Sequence, residues 1–318
     1  MKRRTLLPLL GGLLAAPQAL AWPDQPMKIV VPFTPGTGPD IIARFVAEQL
    51  SPKVGQPVVV DNVAGASGNI GSQQVARAKP DGTTLMSSVN TLVMNASLYK
   101  NLPYDPVADF APIGLTAWGS LVLVANPAQA PNTLAEFVAL AKAKPKSLNY
   151  GSPGIGTPHH LSMALVETDA GIELTHVPYK GSAGAVQDLL GGQIGYMFLP
   201  VHVSAQYIRA GKLKALAVGS PKRLPQLPDT PTLIEQGLKG ADVDMWYGLF
   251  APKGPPADIV ARLNQETAAI LNAPEARSIF EAQGLIPTSS TPAALAEIVV
   301  RDKARWAEVV AKRGIAAE

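Results

Sequence analysis

Short apolar runs alternate along the chain with longer segments whose apolar residues repeat at helical spacing. Residues 29–31 form an apolar run typical of a buried strand, and from residue 41 to 50 apolar side chains recur every three or four positions. Residues 32–39 between them are rich in proline and glycine. The pattern predicts a strand, a tight loop and a helix, with the free amides of the first helical turn at the end of the strand.

The same arrangement recurs twice. The β-branched run 57–60 leads into a loop of small residues at 61–69, and the run 148–150 leads into a second such loop at 151–160. Helix N-termini bind carboxylate or phosphate through main-chain amides without any charged side chain. The repeated pattern therefore indicates an anion site, and from the loops alone phosphate, dinucleotide and carboxylate all remain open.

Alternating strands and helices predict an α/β fold with parallel sheets covered by helices. Two strands, 121–125 and 246–250, are the natural crossings between two lobes. The predicted organisation is a first lobe from residues 22–124 and 244–318 and a second lobe from 125–243. The other predicted strands lie at 84–88, 174–177, 194–198 and 214–218. The other predicted helices lie at 70–78, 133–143, 183–190, 204–210, 256–271, 274–283 and 292–312, with one more that follows the loop at 151–160 and ends near residue 168.

The N-terminus has the pattern of a secretory signal peptide. Lys2, Arg3 and Arg4 precede an apolar stretch at 6–14, and Ala-Leu-Ala at 19–21 supplies small residues for cleavage. Pro8 and Pro17 interrupt the stretch, which is too short to be a membrane anchor. We predict an exported, periplasmic protein that uses the Sec route, with Tat export left open by the twin arginines.

Composition and net charge limit the classes of partner that the protein is predicted to bind. Residues 1–21 contain three of the 27 Lys and Arg residues and none of the 24 Asp and Glu residues, which leaves 24 of each sign and a formal net charge of zero. The basic character therefore belongs to the leader, and no nucleic-acid partner is predicted. Disulfides and cysteine lipidation are excluded because the chain has no cysteine.

Catalytic and cofactor motifs are missing from the sequence. There is no G-x-S-x-G, no H-E-x-x-H and no phosphate-binding G-x-x-x-x-G-K-[ST]. Gly36-Thr37-Gly38 lacks the third glycine of a dinucleotide loop. Adjacent His159 and His160 cannot share one helix face. We predict no metal, no cofactor and no enzymatic activity.

Eight stretches together resemble the Bug (Bordetella uptake gene) family, the solute receptors of tripartite tricarboxylate transporters. They cover nearly the whole chain in order. The stretches are PFTPGTGPD (32–40), GASGNIG (65–71), PDGTTL (80–85), LPYDP (102–106), GIGTPHHL (154–161), VPYKGS (177–182), DLLGGQI (188–194) and GKLKALAV (211–218).

The resemblance implies a monomeric, two-lobed, Venus-flytrap receptor of type II-like fold that closes on a small carboxylate and presents it to membrane permease subunits. Typical ligands are amino acids, di- or tricarboxylates and aromatic acids, with one carboxylate held by main-chain amides and waters near the first strand–helix loop. Carried over by position, the ligand contacts are Phe33, Thr34, Gly36, Thr37, Asn62, Ala66, Ser67, Ser88 and Asn90 in the first lobe and Ser152, Gly156, Thr157, His160, Tyr179 and Lys180 in the second.

The chain departs from the family at two places. Thr37 stands where the family usually has a second glycine, and residues 62–68 lack the arginine often found in the second loop. Asp40 is expected to cap its own helix, because a carboxylate there would repel an anionic ligand. These departures leave the ligand unspecified.

Two other functions remain open at this stage. The receptor could present its ligand to a sensor kinase and have no role in transport. An exported hydrolase using Ser67, Ser152 or His160 is the second alternative, although the sequence has no recognisable pairing of a nucleophile with a base.

Overall fold

The computed structural model describes residues 22–239 and 244–315. The predicted leader lies outside these ranges. The first part of the chain repeats the strand–loop–helix unit, and a 3₁₀ turn at Ala66–Gly68 follows the second strand. The elements are β1 (Met27–Val31), α1 (Gly38–Val54), β2 (Val58–Asn62), α2 (Asn69–Ala76), β3 (Thr84–Val89) and α3 (Thr91–Leu98).

The middle and C-terminal parts continue the alternation. The next elements are β4 (Phe110–Ala125), α4 (Leu134–Ala143), β5 (Asn149–Ser152), α5 (Pro158–Ala170), β6 (Thr175–Pro178), α6 (Ser182–Leu190), β7 (Tyr196–Pro200), α7 (Val201–Arg209) and β8 (Lys214–Val218). The last are β9 (Asp244–Pro252), α8 (Ala257–Leu271), α9 (Pro274–Ala282), β10 (Leu285–Pro287) and α10 (Pro292–Arg313).

Two sets of strands meet on β4. β1 pairs in parallel with β2 and β3, whereas β9 runs antiparallel between β3 and the first part of β4. From Leu121 onward β4 pairs with β7 and β8, and β5 lies parallel to both β6 and β7. We call the half built on β1–β3 and β9 lobe 1 and the half built on β5–β8 lobe 2.

The crossing strands differ in one respect from the sequence-based prediction. β4 belongs to both sheets, as expected, but β9 begins at Asp244, opposite Ser120, and pairs only with lobe 1 strands. Within the described ranges, β9 therefore does not cross to lobe 2, and residues 240–243 before it lie outside those ranges. The pairing of β4 changes between Ser120 and Leu121, and the lobe boundaries at 124/125 and 243/244 stay predictions.

The C-terminal helices return to lobe 1. Phe45 of α1 packs edge-on against Phe280 of α9, with ring centroids 5.3 Å apart. The indole of Trp246 in β9 donates a 2.7 Å hydrogen bond to Asp302 of α10. The first contact joins the first and last thirds of the sequence, and the second fixes the C-terminal helix to β9, so the C-terminal helices pack as part of lobe 1.

Candidate functional site

Two loops with nearly the same backbone face the region between the lobes. Gly36 and Gly156 both have φ +80°, a left-handed conformation that favours glycine. Each is followed by a threonine in extended conformation, Thr37 before α1 and Thr157 before α5. The repeated pattern in the sequence therefore corresponds to a repeated loop geometry, with one copy in each lobe.

The two threonine hydroxyls do not cap their own helices. Thr37 Oγ1 donates to the Thr34 carbonyl at 2.9 Å, and Thr157 Oγ1 donates to the Gly154 carbonyl at 2.8 Å. Neither α1 nor α5 has a side-chain cap on its N-terminal amides. The first turns of both helices therefore keep their positive dipole ends available to an anion.

Asp40 fixes the loop of lobe 1. Its carboxylate is 3% exposed and accepts hydrogen bonds from the Gly36 amide at 2.8 Å, Arg44 Nε at 3.0 Å and Asn62 Nδ2 at 2.9 Å. Burial would raise the pKa of Asp40, but these donors and the positive charge of Arg44 outweigh it and lower that pKa below 3.8. Asp40 therefore organises the loop as an ionised group, and Asn62 is engaged with it.

His160 takes the corresponding place in lobe 2. Its Nδ1 accepts the Gly156 amide at 3.1 Å, and its ring stacks on His176 with centroids 4.0 Å apart. Burial, with a smaller contribution from His176, lowers the pKa of His160 to about 3. At neutral pH this loop is therefore held by an uncharged acceptor, in contrast to the carboxylate in lobe 1.

The cleft between the loops contains two adjoining chambers. The loop chamber, about 550 Å³, lies among the loops that follow β1, β2, β5 and β6. The α7 chamber, about 380 Å³, extends toward α6, α7 and the start of β9. Residues of both lobes line both chambers: Phe33, Thr34, Thr37, Pro153, Thr157 and Ser182.

The structure brings nine of the fifteen predicted contact residues to these chambers. They are Phe33, Thr34, Gly36, Thr37, Ala66, Ser67, Thr157, Tyr179 and Lys180.

Six others lie behind the chamber walls: Asn62, Ser88, Asn90, Ser152, Gly156 and His160. Three of these six stabilise the loops by hydrogen bonds. Asn62 donates to Asp40, and His160 accepts the Gly156 amide. Ser152 Oγ donates to the Gly154 carbonyl at 3.0 Å. Ser88 and Asn90 are buried at the end of β3, where Asn90 Nδ2 donates to the Asp244 carbonyl at 3.3 Å. Direct ligand contact stays a prediction for all fifteen.

The two lobes touch at one edge of the loop chamber. Ser67 Oγ donates to the Ile155 carbonyl at 3.0 Å, a bond between the second loop of lobe 1 and the α5 loop of lobe 2. A Cβ on Gly156 would lie 2.3 Å from Leu98 Cδ1 of α3. Ala66 and Ser67 adopt left-handed φ values of 46° and 52°, which are uncommon outside glycine and often mark functional loops. The cleft is therefore closed along this edge.

Lys180 is the only charged side chain among the described residues that line the two chambers. It is exposed, whereas neighbouring Tyr179 donates its hydroxyl to Asp188 at 2.6 Å. Burial, together with this hydrogen bond and the charge of Asp188, raises the pKa of Tyr179 to about 12. The Tyr179 hydroxyl is thus committed to the protein, and Lys180 can supply a positive charge at the mouth.

One serine–histidine pair does exist, which corrects the expectation from the sequence. Ser152 Oγ lies 2.7 Å from His176 Nε2. However, Ser152 is 0% exposed and lines neither chamber, and the Gly154 amide also donates to its Oγ at 3.2 Å. The pair holds the loop together and does not present a nucleophile to a bound molecule.

Sequence reasoning missed several polar residues that line the α7 chamber. Thr91, His159, His202 and Tyr247 all line it, although they are spread over more than 150 positions of the chain. His159 had a usable signal: it cannot share a helix face with His160, so one of the two had to point elsewhere. In the ranges 22–239 and 244–315, no group of three or more His, Cys, Asp or Glu residues could hold a metal, and no helix is long and apolar enough to cross a bilayer.

Replacing Thr37 tests the loop of lobe 1. We expect Thr37→Gly to weaken ligand binding by about three- to tenfold, because it removes the bond to the Thr34 carbonyl and adds backbone freedom. Its extended φ of −81° suits any residue, so the melting temperature should change little. Isothermal titration and thermal melting measure the two effects; unchanged affinity would reduce Thr37 to a spacer.

Comparison with known proteins extends these observations. The family model described as "Tripartite tricarboxylate transporter family receptor" matches residues 42–315. BugT of Bordetella pertussis is 35% identical over 96% of this chain and 94% of its own length. A protein from R. palustris solved with adipate is 34% identical, with TM-score 0.88 over 93% of this chain and 99% of its own.

A second solved structure, MatC from Rhodopseudomonas palustris with bound malate, is 32% identical, with TM-score 0.85 over 91% of this chain and all of that one. The agreement in sequence and fold over nearly full length confirms the resemblance to the Bug proteins and the two-lobed α/β fold of periplasmic binding proteins. The family consists of solute receptors, not enzymes. The chain belongs to the tripartite tricarboxylate transporter receptor family.

Proposed function

We propose that the protein captures a small carboxylate between its two lobes and delivers it to the membrane permease of a tripartite transporter. The observation that carries this is the pair of matching loops at Gly36-Thr37 and Gly156-Thr157, which place uncapped helix N-termini on both sides of one cleft. The bound acids of the two R. palustris proteins, adipate and malate, support the ligand class.

The carboxylate would sit in the loop chamber between Thr37 and Thr157. Main-chain amides and helix dipoles there stabilise negative charge without requiring a salt bridge. Lys180 at the mouth adds a charge that attracts anions and is screened by salt. Among the described residues, no acidic side chain lines the loop chamber to repel an anion or to pair with an amine.

Closure would couple binding to delivery. A ligand that contacts both Thr37 and Thr157 does so only when the lobes are together, so it shifts the population toward the closed form. The bond from Ser67 to the Ile155 carbonyl joins the two lobes, and separation of the lobes would break it. A permease can then distinguish loaded from unloaded receptor by the relative position of the lobes.

Export completes the proposal. Residues 1–21 would direct the chain to the periplasm and be removed there, and the receptor would work as a monomer. The zero formal charge of the remaining chain gives no reason for binding to nucleic acid or to an anionic membrane surface.

Thermal melting against a panel of carboxylic acids tests the proposal. At 100 times Kd, a ligand stabilises the folded state by about 2.7 kcal/mol, which corresponds to a rise of about 4 °C in Tm for a chain of this size. We expect at least one acid to produce this rise, and its primary amide to produce none. A panel of acids without effect at millimolar concentration would contradict the proposed function.

A further inference from the structure

The α7 chamber contains polar side chains that have no partner in the described protein. Thr91 is 1% exposed and its Oγ1 bonds to no protein atom. Both ring nitrogens of His159 and Nε2 of His202 are also buried and form no hydrogen bond with a protein atom. Buried polar groups in native proteins nearly always have a hydrogen-bond partner. Three such groups around one chamber, one from lobe 1 and two from lobe 2, therefore point to a ligand that supplies the partners.

The remaining wall of the chamber is largely apolar. Val89 and Met245 line it from the lobe 1 side, and Val186, Leu190 and Val203 line it from α6 and α7. A ligand body that covers these side chains gains hydrophobic stabilisation in proportion to the apolar area removed from water. The chamber thus favours a ligand with an apolar body and only a few polar atoms.

Charged side chains are missing from the described part of the chamber wall. Among residues 22–239 and 244–315, none that lines the chamber is Asp, Glu, Lys or Arg. Burial lowers the pKa of His159 to about 3 and that of His202 to about 4, with a smaller effect of His202 on His159, so both rings are neutral at pH 7. A neutral imidazole offers one N–H donor and one acceptor, and a threonine hydroxyl offers both. A hydroxyl or carbonyl satisfies such groups, whereas a buried charge needs an opposite charge or several donors.

We infer that the α7 chamber binds the far end of the ligand as an uncharged apolar group bearing one hydroxyl or carbonyl, and that Thr91, His159 and His202 select it. The inference rests on the proposed function, in which the loop chamber holds the carboxylate. It makes the preferred ligand a monocarboxylate with a polar but neutral far end. An amine is disfavoured because the described residues that line the two chambers include no acidic side chain.

Two matched sets of ligands test this by isothermal titration. One set is hexanoate, 6-hydroxyhexanoate and adipate, and the other is benzoate, 4-hydroxybenzoate and terephthalate. Members of a set share the first carboxylate and differ only at the far end. In at least one set we expect the hydroxyl compound to bind about five- to tenfold more tightly than the unsubstituted acid, the effect of one neutral hydrogen bond, and the dicarboxylate to bind more weakly than both.

Variants then assign the effect to the chamber. Thr91→Val keeps the shape of the side chain and removes a hydroxyl that has no protein partner, so the free protein should melt at the same temperature or higher. Its affinity for the best hydroxyl ligand should fall about five- to tenfold, while that for the unsubstituted acid changes less than about twofold. His202→Leu should show the same selectivity. Thr267→Val is the control, because Thr267 is also buried with an unpartnered hydroxyl but lies in α8, outside both chambers.

The possible results distinguish failure of this inference from failure of the proposed carboxylate function. Tightest binding by adipate or terephthalate overturns the inference and leaves the carboxylate function intact; it would mean that the N-terminus of α7 holds a second carboxylate. Equal losses for hydroxyl and unsubstituted ligands in Thr91→Val and His202→Leu also overturn it. Failure of every acid in both sets, together with failure of the wider panel, overturns the proposed function and the inference with it.

Discussion

Gly156→Ala should lower ligand affinity at least tenfold while leaving the protein folded. The new Cβ would lie 2.3 Å from Leu98 Cδ1, across the contact between lobe 2 and lobe 1. Leu98 is 3% exposed and packed in the lobe 1 core, so it cannot move aside easily. Opening the lobes removes the clash. The substitution therefore opposes closure. Destabilising only the closed state by about 1.4 kcal/mol lowers the ligand affinity tenfold.

The control for this variant is Gly171→Ala, at the other end of the same helix. Gly171 also has a left-handed φ, +62°, but a Cβ there would meet no atom within 4 Å. Both variants carry the backbone strain of a non-glycine residue, of the order of 1 kcal/mol, and only Gly156→Ala carries the contact between lobes. Titration and small-angle scattering compare them. Equal affinities, or an unchanged radius of gyration for Gly156→Ala, would show that closure does not depend on this contact.

Asp40→Ala should destabilise the protein by about 3 kcal/mol and abolish measurable carboxylate binding. The change removes the charged acceptor of the Gly36 amide, while Asn62 Nδ2 loses one acceptor and keeps the Phe33 carbonyl at 3.1 Å. A hydrogen bond to a charged group contributes about 1.5–3 kcal/mol. The loop that presents the α1 amides then loses its support. Urea denaturation measures the stability, with Asp61→Ala as control. Asp61 forms a half-exposed ion pair with Lys28 at 3.5 Å, so its loss should change stability by less than about 1 kcal/mol.

The pH dependence distinguishes a charged Asp40 from a merely well-packed one. Its pKa is lower in the folded state than the ordinary 3.8, so its contribution is fully present above that value and is lost as pH falls through the folded pKa. The stability difference between wild type and Asp40→Ala should stay constant from pH 8 to 5 and shrink below about pH 4. The buried histidines affect both proteins alike. A difference that already shrinks near pH 6 would assign the effect to another group.

The strand–loop–helix units were predictable from the sequence because their signals are local. An apolar run, a glycine- and proline-rich loop and a helical period are enough to locate β1, α1, β5 and α5 within a few residues. Helix α3 was missed because most of Thr91–Leu98 is buried, which removes the polar face that marks an amphipathic helix. The first eleven residues of β4 were missed because Pro112, Gly114 and two irregularities in register interrupt its pattern.

The candidate site was predictable only in part, because some of its residues are marked by local sequence patterns and others are not. Loop residues such as Thr37 and Thr157 follow directly from their position before a helix. Whether a polar residue faces the chamber or the loop behind it depends on neighbours distant in sequence: Asn62 is held by Asp40, 22 positions earlier. Thr91, His159 and His202 come together only when the lobes assemble, and no local pattern marks them.

That the cleft binds a carboxylate is tested most directly by titration calorimetry with one acid and its primary amide, using the acid that stabilises the protein most in the thermal panel. The two compounds have nearly the same size and differ in the charge at one group. One-to-one binding of the acid, with at least a hundredfold weaker binding of the amide, is the predicted result. Comparable affinities for acid and amide, or binding of the acid that survives Asp40→Ala unchanged, would contradict an anion site at the α1 and α5 N-termini.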